Sequence, residues 1–227
     1  MCGGTSSREV HSLISPRSRG LAAAVVMLAA ASVAATQPAA SAAGFGAHWA
    51  LNEKSGSVTD SSGNHNDGTV HGGVTRTGSQ YDFDGTSGYI SVPNSASLNP
   101  GAADFEFTVK FSIDGNPPHG DYDIVRKGLA GTKGGDYKME VLASGKALCR
   151  FHGTTAAVLQ GGTNLGNGTH TVSCIKNADQ VRLVVDGSTK ASKSVHVGSI
   201  SNNQPVILAA KPGDDYTAGL IDDISLT

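Results

Sequence analysis

Two short segments of this chain bring cationic side chains together at a spacing that could do chemistry. In Tyr137-Lys138-Met139-Glu140-Val141 and Ala147-Leu148-Cys149-Arg150-Phe151-His152, apolar and polar residues alternate. A β-strand sends successive side chains to opposite faces. Tyr137, Met139, Cys149 and Phe151 would then line one side, and Lys138, Glu140, Arg150 and His152 the other. If the two strands are neighbours, Lys138, Arg150 and His152 share one surface, to which Tyr122 is a possible addition whose facing the pattern leaves open. Such a set can hold an anionic sugar. With Arg150 neutralising a uronate carboxylate and His152 or Tyr122 taking the adjacent proton, it could also run a lyase reaction. The plainer alternative is a solvated polar strand face.

Paired carboxylates for glycoside hydrolysis are harder to find. That reaction needs two carboxyl groups across one groove, roughly 5–10 Å apart. After the N-terminal segment the glutamates are Glu53, Glu106 and Glu140, and none has a carboxylate partner at in-strand spacing. Asp222 and Asp223 are adjacent, which in a regular strand sends them to opposite faces. A glycosidase is not expected.

The elements that must position these residues are strands. Phe105, Phe107, Val109, Phe111 and Ile113 alternate with Glu106, Thr108, Lys110 and Ser112, which predicts a long strand with one dry and one wet side. The same alternation recurs around Val181–Val185. Shorter strands are expected at 45–51, 69–71, 80–83, 89–92, 122–126, 147–151, 169–175, 206–209 and 220–226. Turn signals such as Asp84-Gly85, Asp114-Gly115 and Asp186-Gly187 separate them, and 30 glycines serve these turns. Helical periodicity is absent after the leader. The pattern predicts one all-β domain.

Residues 1–42 read as a signal peptide. Arg8, Arg17 and Arg19 precede the apolar run Leu21–Ala35, and Ala40-Ser41-Ala42 offers a small-residue cleavage site. The domain would then span 43–227 of an exported protein, with no membrane span left after cleavage. The Ala-rich leader suggests a bacterial source, which would make the Asn167-Gly168-Thr169 sequon irrelevant. The formal net charge is −2, with Lys and Arg scattered, so nothing marks a nucleic-acid partner. Cys2 leaves with the leader. Cys149 and Cys174 remain, an even pair in an exported chain, and a disulfide between them is the expected state.

A further set of segments resembles the laminin-G-like branch of the concanavalin A-like lectin/glucanase superfamily. In order they are His48-Trp49-Ala50-Leu51-Asn52-Glu53, Asp60-Ser61-Ser62-Gly63-Asn64, Asn66-Asp67-Gly68, Phe83-Asp84-Gly85 and Tyr89-Ile90-Ser91-Val92. Phe105–Phe111, Ile124–Gly128, Gly168–Val172, Val185-Asp186-Gly187 and Gly219–Ile224 follow. Each is short; their common order carries the likeness. Thr169 departs from the Trp the family often carries there. The resemblance implies a jelly-roll sandwich of two antiparallel sheets, with Trp49 in the core and a tight turn at Asp84-Gly85. It also implies one structural calcium ion joining the chain ends, with Asp60, Asn64, Asp67, Asp222 and Asp223 as ligand candidates.

Aromatic platforms for stacking sugars are few, since Trp49 and the phenylalanines look buried; Tyr122 and Tyr216 are the candidates. The expectation is a secreted, monomeric, non-catalytic module that binds an extracellular polysaccharide or glycoprotein, with an anionic glycan among the candidate ligands. A polysaccharide lyase is the alternative, and a protein-interaction module the second alternative, because fold alone does not decide function.

Overall fold

The long alternating segment forms the strand the pattern asks for: Phe105–Ile113 is β6, and its odd-numbered residues are buried while the even-numbered ones are not. The computed structural model describes residues 44–166 and 168–227. The expected leader 1–42 and the sequon's Asn167 lie outside the described residues. Before β6 come β1 (Ala47–Trp49), β2 (Thr69–His71), β3 (Val74–Arg76), β4 (Tyr81–Asp84) and β5 (Tyr89–Val92). After it come β7 (Asp121–Lys127), β8 (Asp136–Leu142), β9 (Ala147–His152), β10 (Ala156–Gly161) and β11 (His170–Lys176). The series closes with β12 (Gln180–Val185), β13 (Ser188–Ser194), β14 (Val206–Leu208) and β15 (Ala218–Leu226). The one described helical piece is a 3-10 turn at Ala96–Leu98, and no described helix is long and apolar enough to cross a membrane.

Two antiparallel sheets result. One runs β13-β12-β11-β6-β15-β4-β3, with β1 also paired to β15; the other runs β10-β9-β8-β7-β14-β5-β2. The chain alternates between sheets at β4 to β7 and again at β13 to β15, so most neighbours within a sheet are distant in sequence. This is the jelly-roll sandwich that the resemblance implied.

Side chains from the two inner faces fill the space between the sheets. Phe105 and Phe107 pack edge-on and tilted against Tyr137 and Phe151 at centroid distances of 4.8 to 6.0 Å. Trp49 is fully buried, and its indole N–H donates to the Asn66 carbonyl at 2.7 Å. That bond removes the cost of burying a polar N–H, so the ring can contribute its full apolar area. Cys149 on β9 and Cys174 on β11 are disulfide-bonded, with Cα atoms 5.6 Å apart. The bridge therefore ties one sheet to the other.

Two features of the fold depart from expectation. β3, β10 and β13 were not foreseen. All three are edge strands, where one side lacks a neighbour and the burial contrast that makes alternation visible is weak; β13 has six exposed residues among its seven. The second departure is at Asp222 and Asp223. A bulge shifts the register of β15 against β6 between Ile221 and Asp223. Ile221 and Ile224 stay buried, and the two aspartates between them both face outward. Adjacent residues normally diverge, but an extra bulge residue resets the parity.

Candidate functional site

The outer face of the second sheet gathers an unusual density of charge. Its strands are aligned so that Arg150 of β9 lies opposite Lys138 of β8, and Lys138 opposite Arg126 of β7. The row continues through Ile207 of β14 to Ser91 of β5 and Thr69 of β2. On one side of this basic row, Asp136 stands opposite His152; on the other, Asp123 stands opposite Glu140. Directly opposed residues lie about 5 Å apart, so the cations form one row across the strands while acidic and basic groups alternate along β8, from Asp136 through Lys138 to Glu140.

A bulge in β7 makes this arrangement possible. Asp121 and Asp123 share a face by the two-residue period, and Arg126 would fall on the other face of a regular strand. The register shift between Asp123 and Val125 inserts Ile124 as an extra residue, and Arg126 returns to the same side as the aspartates. Its guanidinium Nη2 then donates to Asp123 Oδ2 at 2.5 Å and lies 3.5 Å from Glu140 Oε1.

Each cation of the row has a carboxylate. Arg150 donates from Nε and Nη2 to the two oxygens of Asp136, at 2.6 and 3.3 Å. The same Asp136 lies 3.0 Å from His152 Nδ1. Lys138 pairs with Glu140. Asp136, Asp123 and Glu140 are nearly inaccessible, while Lys138, Arg150 and His152 keep part of their side chains at the surface. Burial raises the Asp123 carboxyl to about 6, although the Arg126 charge beside it works in the other direction. Burial likewise lowers the Lys138 ammonium, and the charge of Asp123 partly offsets this.

Asp121, at the end of β7, is half-buried and lies near Asp215. One oxygen each from Asp121, Asp123 and Glu140 falls within 4.8 Å of the others, a spacing that could hold a metal ion. The loop 211–217 borders this cluster. Asp123 donates its backbone N–H to the Asp215 carbonyl at 3.1 Å, and Thr217 Oγ1 donates to the Asp123 carbonyl at 2.9 Å. Two cavities flank the loop. One of about 540 Å³ is lined by His119, Asp121, Tyr122, Asp214, Asp215 and Tyr216 among others. The other, about 200 Å³, lies against Arg126, Leu129, Pro205, Ile207, Lys211 and Pro212.

Of the expected ligand-binding residues, the structure brings Lys138, Arg150 and His152 onto this one face. Tyr122 does not join them. It stands opposite Val141 with the inward set and is almost fully buried, so it reaches only the wall of the larger cavity. The exposed aromatic surface comes from other residues: Tyr89 stacks on His71 at 4.5 Å and approaches Tyr216 at 6.5 Å. Glu140 has no carboxylate partner within its own strand, as the spacing implied, but Asp123 stands opposite it on the neighbouring strand. Both lie buried beneath Arg126 and Lys138, leaving no room for a sugar ring between them. Asp136 was missed, yet it shares the parity of Lys138 and was legible once β8 is started one residue earlier.

The five residues expected to hold calcium are engaged with protein groups. Both Asp60 oxygens accept backbone N–H bonds, from His48, Ser62 and Asn66, all at 2.9 Å, and the Asn66 amide adds a fourth at 3.0 Å. Asp67 accepts the Asp60 N–H, and Asn64 donates to the carbonyls of Gly44 and Gly46. Asp222 pairs with Lys110, and Asp223 with His48 at 2.7 Å. Together these contacts join the early loop to the first and last strands.

Comparison with known proteins follows the fold. The chain resembles the binding domain of Paraclostridial Mosquitocidal Protein 1, with a TM-score of 0.64 at 17% identity, over 80% of this chain and 48% of that one. The binding domain of botulinum neurotoxin DC in complex with SialylT gives 0.65 at 13%, over 81% and 47%. A structure of botulinum neurotoxin type C, whose cell entry is described as dependent upon interaction with two ganglioside molecules, gives 0.64 at 11%, over 79% and 46%. The chain thus spans about half the length of these binding domains, and the likeness is one of fold. No curated protein matches by sequence. The Laminin_G_3 model, described as concanavalin A-like lectin/glucanases superfamily, matches residues 83–226, which cover β5 to β15 and every residue of the charged face, and the chain belongs to that family.

Proposed function

We propose that this protein is an extracellular, non-catalytic module that binds a glycan on the outer face of its second sheet. The observation that carries the reading is the clamped basic row: Arg150, Lys138 and Arg126, each held by a buried carboxylate from the same or the next strand. Groups fixed in this way present donors and acceptors in set directions, so little side-chain entropy is lost when a ligand hydroxyl arrives. Vicinal hydroxyls of a sugar suit such a face, because each can accept from the partly exposed Arg150 guanidinium or Lys138 ammonium that the buried carboxylates hold in place. The partly exposed rings of Tyr89 and Tyr216 lie at its border and offer an apolar surface for a pyranose ring. The toxin domains of the same fold, one bound to SialylT and one described with gangliosides, support a glycan as the ligand class.

The pairing bears on which glycan. Three cations face three carboxylates, so the row is close to neutral, and a strongly anionic chain would have to compete with Asp136 and Glu140. Hydroxyl-rich neutral or weakly acidic glycans are favoured over polyuronates. Export is supported by the basic leader followed by Leu21–Ala35 and by the cysteine pair, a bond that persists in oxidising compartments.

A glycan array with the purified protein, followed by calorimetry on the best hit, tests the proposal. Arg150→Ala is expected to weaken binding at least tenfold, measured at a temperature where the variant is folded, and to lower the melting midpoint because the buried Asp136 loses its bidentate partner. Binding to a neutral glycan should change little between about 0.1 and 1 M salt, whereas an anionic ligand would be screened off. Unchanged binding by Arg150→Ala would remove this face from consideration. Release of unsaturated uronate, seen as ultraviolet absorbance, would replace the binding reading with a lyase in which His152 and Arg150 act around Asp136.

A further inference from the structure

The carboxylates at the edge of the charged face are not fully accounted for by their protein partners. Arg126 occupies Asp123 Oδ2, and Lys138 and Arg126 share Glu140 Oε1. Asp123 is completely buried, yet its Oδ1 has no hydrogen-bond partner, and neither has the buried Oδ1 of Asp121. A buried carboxylate oxygen without a donor costs several kcal/mol in principle, so such an atom is suited to a cationic ligand. Three carboxylates here meet two cations, Arg126 and Lys138, which leaves negative charge over.

We infer that Asp121, Asp123 and Glu140 form a binding site for one calcium ion at the junction of β7 and β8. The three contributing oxygens lie within 4.8 Å of one another. Two ligands on opposite sides of a calcium ion are separated by twice the usual 2.3–2.6 Å bond, so all three can sit on one coordination sphere. Magnesium demands near-ideal octahedral geometry at about 2.0–2.1 Å, whereas calcium accepts the irregular arrangement of side chains whose positions sheet register fixes. β-sheet register supplies the geometry: Asp123 and Glu140 are directly opposed, and Asp121 is the next residue along on the same face. Asp121 also lines the 540 Å³ cavity, which leaves the remaining coordination positions open to water or to a ligand hydroxyl. The inference does not depend on the glycan reading, because the ion is tested without any sugar.

The test is calorimetric titration of chelator-stripped protein with calcium chloride. One ion per chain is expected, with a Kd in the range of about 10⁻⁴–10⁻³ M that is usual for extracellular modules. Asp121→Asn, nearly isosteric and partly exposed, should weaken binding at least tenfold. Lys138→Met should tighten it, because the ammonium that competes for Glu140 is gone. Saturating calcium should raise the melting midpoint by about 5–10 °C in the wild type. In chelator, Asp121→Asn should melt above the wild type, since one crowded carboxylate has been removed, and calcium should no longer move it. The inference is overturned by the absence of calcium binding in the millimolar range, or by binding that both variants leave unchanged.

Discussion

Reducing the bond between Cys149 and Cys174 should lower the melting midpoint of this protein by about 9 °C. The bridge closes a loop with a sequence separation of 25 residues. Loop-closure entropy for that length gives about 12 cal/mol/K, or about 3.5 kcal/mol at 25 °C. A domain of roughly 180 residues unfolds with an entropy near 0.4 kcal/mol/K, and the ratio of the two gives the shift. Both cysteines are fully buried, and reduction removes no heavy atom, so no cavity opens. The two thiol sulfurs must move apart within the packed core, which can only add to the shift. The assay is scanning calorimetry of the oxidised and reduced proteins, with guanidinium denaturation alongside. The reduced form should also show the larger denaturant slope, because its unfolded chain is less compact. A midpoint difference under about 2 °C, with the bond verified by mass spectrometry under non-reducing conditions, would refute the view that this bridge contributes its loop-closure entropy to holding the two sheets together.

Three other outcomes are expected. The folded state holds the Asp123 proton up to about pH 6, against 3.8 for the free carboxyl. Between those values the native protein binds more protons than the unfolded chain, so stability falls as pH rises through this window, by about 3 kcal/mol in total. Asp123→Asn should flatten that slope in urea titrations run in chelator from pH 4 to 7; an unaltered slope contradicts the assignment. Asp136→Asn should release both Arg150 and His152, weaken glycan binding at least tenfold, and cost about 1–3 kcal/mol of stability, which calorimetry and denaturation read separately. Gly135, just before β8, has a φ of +90°, and a Cβ there would stand 2.0 Å from the His152 carbonyl oxygen. Gly135→Ala should therefore cost more than about 3 kcal/mol, measurable as loss of soluble yield or as a lowered midpoint in denaturant.

The legible parts of the fold were those with strong burial contrast. β6, β8, β9 and β12 alternate because one face of each is sealed against the opposite sheet, and selection for that core writes a two-residue period into the chain. The edge strands β10 and β13 escaped because solvent reaches them from a second side and polar residues serve on either face. The cysteine pairing was legible for a different reason: an even count of two leaves one intramolecular bridge, provided the chain meets an oxidising compartment. Lys138, Arg150 and His152 could be placed on one face because β8 and β9 are consecutive and regular. Their partner Asp136 needed only the same parity, carried one residue further back.

Amino-acid order alone determined the all-β class, the dry and wet sides of its regular strands, and the identity of three side chains on the charged face. Tertiary structure alone decided how that face is charged. Two bulges, at Ile124 and Asp222, change strand parity through backbone register, and a single extra residue leaves no mark in composition or period. Arg126 thereby joins Asp123 and Glu140, and Asp222 and Asp223 point the same way, toward Lys110 and His48. Whether a lysine or arginine is free to hold a ligand depends on which carboxylate sits across the next strand, and strand pairing between residues distant in the chain exists only after folding.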